Sequence, residues 1–246
     1  EPSVHYFILG GGSGSFYGRD AGMSPMIYKG PLFMFVGGYN NVKSTRIHNL
    51  YYDNGIGIFQ PDNESTTATG ARGEVGYTFL KRLNPLSDGW QTYAGADVSM
   101  YFGLRAHTGY QNSLLNYELM LSLSPAALAQ RSFAFANMDF TAGGGIKIPL
   151  VSFLMRPAYV TSIPPGFLDF SKPYDEALSE SLQFTSLNNL IRVRPELFLQ
   201  LHLKNGSIIR WKYSWDFYHI DNIEENKVTA GWHIFTGALH FNLFGR

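Results

Sequence analysis

The sequence contains no cysteine, and only 15% of its 246 residues are charged. Without cysteine there are no disulfides and no thiolate metal sites, and the redox compartment stays open. The charged fraction is low, because about 25% of an ordinary soluble domain is charged. The 19 basic and 19 acidic residues balance. A general nucleic-acid-binding protein carries a basic excess, so this class is disfavoured.

Long hydrophobic runs are also missing. No stretch of about 18 apolar residues occurs, so the sequence predicts no transmembrane helix, and the mean hydropathy is -0.10. No basic segment followed by an apolar segment begins at Glu1, so we expect any signal peptide to be absent from this numbering. No segment resembles a linker, and we predict that residues 1–246 form a single domain.

Aromatic residues and glycine are abundant instead, and apolar side chains recur with a period of two. In residues 90–105 the even positions, from Trp90 to Leu104, are mostly apolar, whereas the odd positions, from Gln91 to Arg105, are mostly polar. Successive side chains of a strand point to opposite faces. The segment therefore predicts a long strand with one apolar and one polar face.

Residues 191–204 and 207–218 repeat this pattern on either side of Asn205-Gly206, a dipeptide that predicts a hairpin with a type I′ turn. A short helix is predicted at residues 173–182, inside a loop. Eleven strands are predicted in all: residues 4–12, 32–39, 49–60, 71–80, 90–105, 115–123, 137–148, 151–163, 191–204, 207–218 and 228–244.

The length of these segments favours a membrane barrel over a soluble sandwich. Soluble strands average about five or six residues, whereas a tilted membrane strand needs about nine to eleven. The apolar faces carry no charged residue, and a charge facing lipid costs about 2–4 kcal/mol. Aromatic residues near strand ends suggest an interfacial girdle. These are Trp90, Tyr93, Tyr117, Tyr213, Trp215, Trp232 and Phe244.

We therefore predict an all-β fold, a single antiparallel transmembrane β-barrel of about 10–12 strands with long external loops, in the cell outer membrane. The alternative fold is a soluble, carbohydrate-binding β-sandwich. If Asn205-Gly206 forms a periplasmic turn, residues 164–186 and 219–227 become external loops, and residues 147–149 form another short turn. Bacterial barrels have an even strand number, so one N-terminal strand among the eleven is missing or false.

Two segments carry a family resemblance. Gly143-Gly144-Gly145-Ile146-Lys147-Ile148-Pro149 and Gly237-Ala238-Leu239-His240-Phe241-Asn242-Leu243-Phe244 resemble outer-membrane β-barrels of Bacteroidota-type Gram-negative bacteria. The resemblance covers most of the chain and is one of style, without a sharp motif. It implies insertion into the outer membrane and no particular activity. The usual C-terminal signature ends in an aromatic residue, whereas this sequence ends in Gly245-Arg246.

Charged residues on the polar faces predict an ionic network inside the barrel. Charges of opposite sign on neighbouring strands stabilise each other. In a lumen this narrow we favour an electrostatic plug over a charged pore that selects solutes. The predicted network comprises Arg72, Glu74, Asp97, Glu118, Asp139, Arg192, Arg194, Glu196, Arg210, Lys212 and Asp216.

Three other groups of residues have competing interpretations. Phe167, Phe170, Tyr174 and Phe184 form either a loop contact surface or a cover over the barrel mouth. The segment Gly10-Gly11-Gly12-Ser13-Gly14 is typical of a glycine-rich strand, because the phosphate-loop spacing and a following helix are missing. His107, Asn112 and Ser113 could form a hydrolase site. No family motif surrounds them, so no catalytic residue is predicted.

The preferred function is a non-enzymatic outer-membrane barrel, a structural or accessory subunit of a larger outer-membrane complex. The alternatives are a narrow channel with a charged lumen and an outer-membrane lipid hydrolase. Expected partners are membrane lipid or lipopolysaccharide and another outer-membrane protein, with no nucleic acid. No cofactor and no metal site is expected, since the histidines lack metal-ligand spacing.

Overall fold

The computed structural model describes residues 3–22, 24–62, 66–83, 89–107, 115–157, 163–221 and 227–244. These residues form twelve strands, one α-helix and one short 3-10 helix (Pro165–Leu168). The strands are β1 (Ser3–Asp20), β2 (Ser24–Lys43), β3 (Arg46–Pro61), β4 (Ala68–Arg82), β5 (Trp90–His107), β6 (Leu115–Phe135), β7 (Met138–Lys147), β8 (Val151–Met155), β9 (Gln183–Ser186), β10 (Leu190–His202), β11 (Ile208–Ile220) and β12 (Val228–Asn242). The helix α1 spans Tyr174–Ser181, which confirms the helix predicted at residues 173–182.

The strands form one antiparallel sheet that closes on itself. Each of β1 to β5 pairs with the next strand in the sequence, and β6 pairs with β7. Further around the sheet, β7 pairs with β10, β10 with β11 and β11 with β12. The pairing of β12 with β1 closes the ring. The structure is therefore a barrel, as predicted, and the sandwich alternative is wrong because it requires two separate sheets.

The barrel wall has ten strand positions, because β7 and β8 share one of them. Both strands pair with β6, and the Ile148 and Leu150 amides still donate to β6 carbonyls across the break, at 3.4 and 3.0 Å. Pro149 cannot donate, so the ladder is interrupted there. The predicted turn at residues 147–149 is therefore wrong, as is the count of eleven. The extra predicted strand comes from counting β7 and β8 separately, not from the N-terminal region. In the same way, β9 and β10 share the next position of the wall.

The hairpin turn predicted at Asn205-Gly206 has a different type. The hairpin at Asn205-Gly206 exists, but only Gly206 has a positive φ, of 78°. The Gly206 amide donates to the Leu203 carbonyl and the Leu203 amide to the Ser207 carbonyl, a three-residue loop rather than the predicted type I′ turn. The type I′ pattern occurs instead at Ala136-Asn137, whose φ values are 50° and 59°.

The two ends of the barrel differ. Short hairpin turns and the described chain ends, where Tyr6 pairs with Asn242, lie at one end, here called the turn end. The described residues 156–157, 163–182, 221 and 227 lie at the opposite end, here called the loop end. The described parts of the two predicted loops thus lie at the end opposite Asn205-Gly206, except that residues 183–186 form strand β9 and residues 219–220 belong to β11. No helix of the described residues is long and apolar enough to span a membrane.

The packing of the barrel is inverted relative to a soluble protein. Large apolar side chains such as Phe33 and Phe35, 71% and 64% exposed, cover the outside, while Arg72, Glu74 and Asp216 are buried inside. An apolar outer wall matches a lipid environment, where closed barrels leave no backbone edge unpaired. Trp232 and Tyr93 do not belong to an outer girdle as predicted, since both are buried inside the barrel.

Candidate functional site: the ionic lumen

Six charged side chains fill the middle of the lumen and are called the central cluster here: Asp53, Arg72, Glu74, Arg192, Arg194 and Asp216. Arg192 donates to both carboxylate oxygens of Asp216, at 2.9 and 2.7 Å, and to Glu74 at 2.9 Å. Its guanidinium also lies 4.4 Å from the centre of the Tyr101 ring. Three arginines face three carboxylates, so the cluster is neutral.

A second neutral group, the outer cluster, lies nearer the loop end. It comprises Asp20, Arg105, Glu118 and Arg156. Arg105 bridges the two carboxylates, with 2.7 Å between its Nη2 and Asp20 Oδ2 and 2.9 Å between its Nη1 and Glu118 Oε1. Tyr218 donates its hydroxyl proton to Glu118. Buried charges need such pairing, because an isolated one costs several kcal/mol.

Aromatic side chains complete the filling of the loop-end half. The rings of Phe16 and Trp232 lie 4.4 Å apart, those of Phe16 and Phe59 4.5 Å, and all three residues are buried. The Arg72 guanidinium lies 5.8 Å from the Trp232 ring centre, which joins the aromatic group to the central cluster. The loop-end half of the lumen is therefore closed by side chains.

The turn-end half contains a cavity of about 330 Å³. On one side Lys147 contacts Asp97 at 2.5 Å and donates to Thr78 at 2.9 Å. On another, one carboxylate, that of Glu196, serves two cations: Arg210 at 3.2 Å and Lys212 at 3.7 Å. This turn-end group of Glu196, Arg210 and Lys212 thus carries one positive charge beyond local balance.

The predicted network and the observed one overlap without being identical. Ten of the eleven predicted residues lie inside the barrel, and Asp139 does not. Asp139 is the second residue of β7, next to the β6–β7 turn, and its side chain is exposed at this end of the barrel. Sequence reasoning missed five lumen residues: Asp20, Asp53, Arg105, Lys147 and Arg156. Arg105 and Lys147 stand on the predicted polar faces of their strands, so that signal was available.

The predicted loop surface is divided. Phe170 and Tyr174 are 88% and 72% exposed, and the half-buried Phe167 packs against Tyr174 with 5.6 Å between ring centres. Phe184 belongs to β9 instead and contacts Phe153 on the outer wall. In the same loop, Ser171 hydrogen-bonds Asp169 through its hydroxyl and its amide and thereby lowers the pKa of that carboxyl.

The structure describes part of the candidate hydrolase site and all of the glycine-rich segment. His107 is buried, with its ring 5.9 Å from that of Tyr28; Asn112 and Ser113 lie outside the described residues. Gly10 and its neighbours form part of β1, as the strand interpretation predicted, and a Cβ at Gly10 would lie 2.3 Å from the Gly237 carbonyl oxygen. Glycine there permits close approach of β1 to β12. Within the described residues, no group of three or more histidine and acidic side chains could hold a metal.

Comparison with known proteins adds little. No family model and no curated protein matches the chain. Similar solved structures from Pseudomonas aeruginosa include OccD3 (OpdP), with 10% identity, 99% of this chain and 92% of that chain covered and a TM-score of 0.18. OccK2 (OpdF) is 9% identical, with 98% of this chain and 98% of that chain covered and a TM-score of 0.21. The outer membrane protein OprD is 10% identical, with 97% of this chain and 94% of that chain covered and a TM-score of 0.16.

These TM-scores carry no argument about this chain, and the fold assignment rests on its own strand pairing. The ring closes between β12 and β1, the outer wall is apolar and the lumen is ionic. The chain is an antiparallel transmembrane β-barrel with ten strand positions in its wall.

Proposed function

We propose that the protein is a narrow channel of the bacterial outer membrane, closed in the described conformation by its own lumen side chains. Antiparallel barrels with an even number of strands are typical of this membrane, with short periplasmic turns and longer external loops. By that rule the turn end faces the periplasm and the loop end faces outward. The Bacteroidota-type origin implied by the glycine-rich segments stays a prediction.

The observation that carries the proposal is how the lumen is closed. The members of the central cluster all project from barrel strands, and those of the outer cluster do too, except Arg156, which directly follows β8. Side chains change rotamer much faster than backbone segments rearrange. Opening therefore requires repositioning of long side chains such as Arg192 and Arg105, with the wall left intact.

The chemistry of the filling also favours a conducting path. Buried ion pairs are often no more stabilising than apolar residues of similar volume, so a lumen needed only for stability is better filled with apolar side chains. Here charged groups continue from the outer cluster through the central cluster to the cavity. Charged side chains that line a pore select the ions and solutes that pass through it.

Conductance in planar bilayers tests the proposal. We expect small single-channel currents from the wild type and larger currents from Arg192→Ala, which shortens the side chain at the centre of the cluster. Lys204→Ala is the matched control, since Lys204 is exposed at the turn end and its removal is expected to leave the current unchanged. No current from folded wild type or Arg192→Ala, with insertion shown by heat-dependent gel mobility, would end the channel proposal.

A non-conducting structural or accessory subunit is the second candidate. The complete burial of Arg105, Tyr101 and Trp232 favours it, because the loop-end half is filled. In that case we propose that the exposed Phe170 and Tyr174 contact another outer-membrane protein. The test is co-purification of such a protein with the wild type and its loss from the double variant Phe170→Ser/Tyr174→Ser.

The third candidate, a lipid hydrolase, is tested by comparing lipid hydrolysis by the wild type with that by Ser113→Ala.

A further inference from the structure

The cavity in the turn-end half has two chemically different sides. The side formed by β10 and β11 carries the turn-end group, in which two cations share the Glu196 carboxylate. The other cations that line the cavity have carboxylates of their own: Arg72 contacts Asp53, Lys147 contacts Asp97 and Arg194 contacts Glu74. The uncompensated positive charge is therefore localised at Arg210 and Lys212.

Arg210 is held in place and retains unused donor capacity. Its guanidinium lies 4.1 Å from the centre of the Phe198 ring. Its Nη2 contacts Glu196, while its buried Nε–H has no hydrogen-bond partner among the described residues. Its register partners on the neighbouring strands are Gln200 and Ala238, and the small Ala238 leaves space beside it. A guanidinium binds an oxyanion through two parallel N–H groups, and an ammonium group such as that of Lys212 adds a compact positive charge beside it.

The opposite side of the cavity carries an apolar patch beside the polar side chains of Asn49, Thr78 and Gln130. Ile47 of β3 and Leu80 of β4 both line it, and Leu128 of β6 continues this surface. Ile47 and Leu80 are register partners on adjacent strands and belong to one buried apolar cluster. With ten positions in the wall, β3 and β4 stand across the lumen from β10 and β11. A ligand that crosses the cavity thus meets cations at one end and an apolar surface at the other.

We propose that this cavity binds an amphipathic organic anion, with its charged group on Arg210 and Lys212 and its apolar body against Ile47 and Leu80. The volume of about 330 Å³ falls in the range of roughly 300–1,000 Å³ that is usual for small-molecule pockets. The inference rests on the proposed channel function in naming its class of solute. Binding can nevertheless be measured without conduction, so the two ideas fail separately.

Isothermal titration of the folded, detergent-solubilised full chain tests the inference with three probes. Benzoate combines charge and ring, inorganic phosphate supplies charge alone, and benzyl alcohol supplies the ring alone. We expect saturable benzoate binding that is tighter than that of either other probe. Arg210→Gln and Lys212→Gln should each raise the benzoate Kd about tenfold or more, as expected for loss of a charge-assisted hydrogen bond. The rim control Lys204→Gln should not change it.

A second variant keeps the test decisive if the charge variants fold poorly. Leu80→Asn should weaken benzoate binding and leave phosphate binding unchanged. Benzoate binding that is absent in the wild type, or unaltered by Arg210→Gln, Lys212→Gln and Leu80→Asn, would overturn the inference. Phosphate binding as tight as benzoate would overturn its amphipathic part. Normal benzoate binding in a barrel that never conducts would remove the channel proposal and leave this site.

Discussion

Replacement of Arg192 by methionine is expected to destabilise the barrel, because it leaves a buried carboxylate without its main cationic partner. Methionine keeps an unbranched side chain of similar length but removes the charge and all five donors. Arg192 is fully buried, and its hydrogen bonds to Asp216 and Glu74 lie between 2.7 and 2.9 Å. The variant leaves two arginines to compensate three carboxylates within the central cluster.

The expected loss of stability in Arg192→Met follows from the charges that remain in the central cluster. Breaking a buried ionic group by removal of one partner costs about 3–5 kcal/mol, because an unpaired charge stays buried. Arg72 and Arg194 still approach Asp216, at 3.2 and 3.7 Å, and attenuate that penalty. We therefore expect a loss near the lower limit, about 3 kcal/mol.

The double variant Arg192→Met/Asp216→Leu serves as the matched control. It restores neutrality, because Arg72 and Arg194 then face Asp53 and Glu74, and the Arg72–Asp53 contact of 2.8 Å is kept. Whole ionic groups are often replaced by apolar residues at little cost. We expect the double variant to be more stable than Arg192→Met alone, by at least about 1 kcal/mol.

Urea unfolding from lipid vesicles, followed by tryptophan fluorescence, measures both values. The chain has four tryptophans, and Trp232 adjoins the central cluster through Arg72. The reasoning is refuted if Arg192→Met costs less than about 1 kcal/mol, or if the double variant is the less stable of the two.

Three further changes probe other parts of the structure in the same unfolding assay. Trp232→Ala should lower the free energy of unfolding by about 3–5 kcal/mol, because it leaves a cavity beside Phe16 and Phe59. Trp211→Ala, on the outer wall, should lower it less. Equal losses of stability in the two variants would contradict the burial of Trp232. Phe33→Arg places a charge on the lipid face and should cost about 2–4 kcal/mol, with Phe33→Leu nearly neutral; tolerance of arginine would argue against lipid contact. Ala136→Gly should stabilise the barrel by up to about 1 kcal/mol, since alanine is strained at φ 50°. The control Ala134→Gly, within β6, should destabilise it. If Ala136→Gly is destabilising and Ala134→Gly stabilising, the observed turn is excluded.

Most of the wall could be predicted from the sequence, because alternation reports directly which face each residue occupies. Trp232 shows the same rule misapplied. In the last strand the apolar Phe235 and Leu239 alternate with Thr236 and His240. This alternation places the even-numbered residues, Trp232 among them, in the lumen, where Trp232 is found. A general preference of tryptophan for interfaces was allowed to override the local pattern.

The miscounted strands have a different cause. Pro149 cannot donate a backbone hydrogen bond, and a proline in a strand resembles a turn at the level of sequence. Only the pairing of β7 and β8 with the same neighbour shows one interrupted strand. Asp20 was missed because the first strand was predicted to end at residue 12, and Asp53 because no alternation was assigned to β3. The pairing of Arg105 with Asp20 joins residues 85 positions apart, which no local pattern reports.

The most direct test of the account is a nitroxide scan along β5 in lipid vesicles. The chain has no cysteine, so single cysteines at residues 96–103 can be labelled without background. We expect positions 98, 100 and 102 to be accessible to oxygen dissolved in lipid, and positions 97, 99 and 101 to be shielded from it, with a period of two residues. Accessibility without that period, or with its phase reversed, would contradict an apolar wall around an ionic lumen.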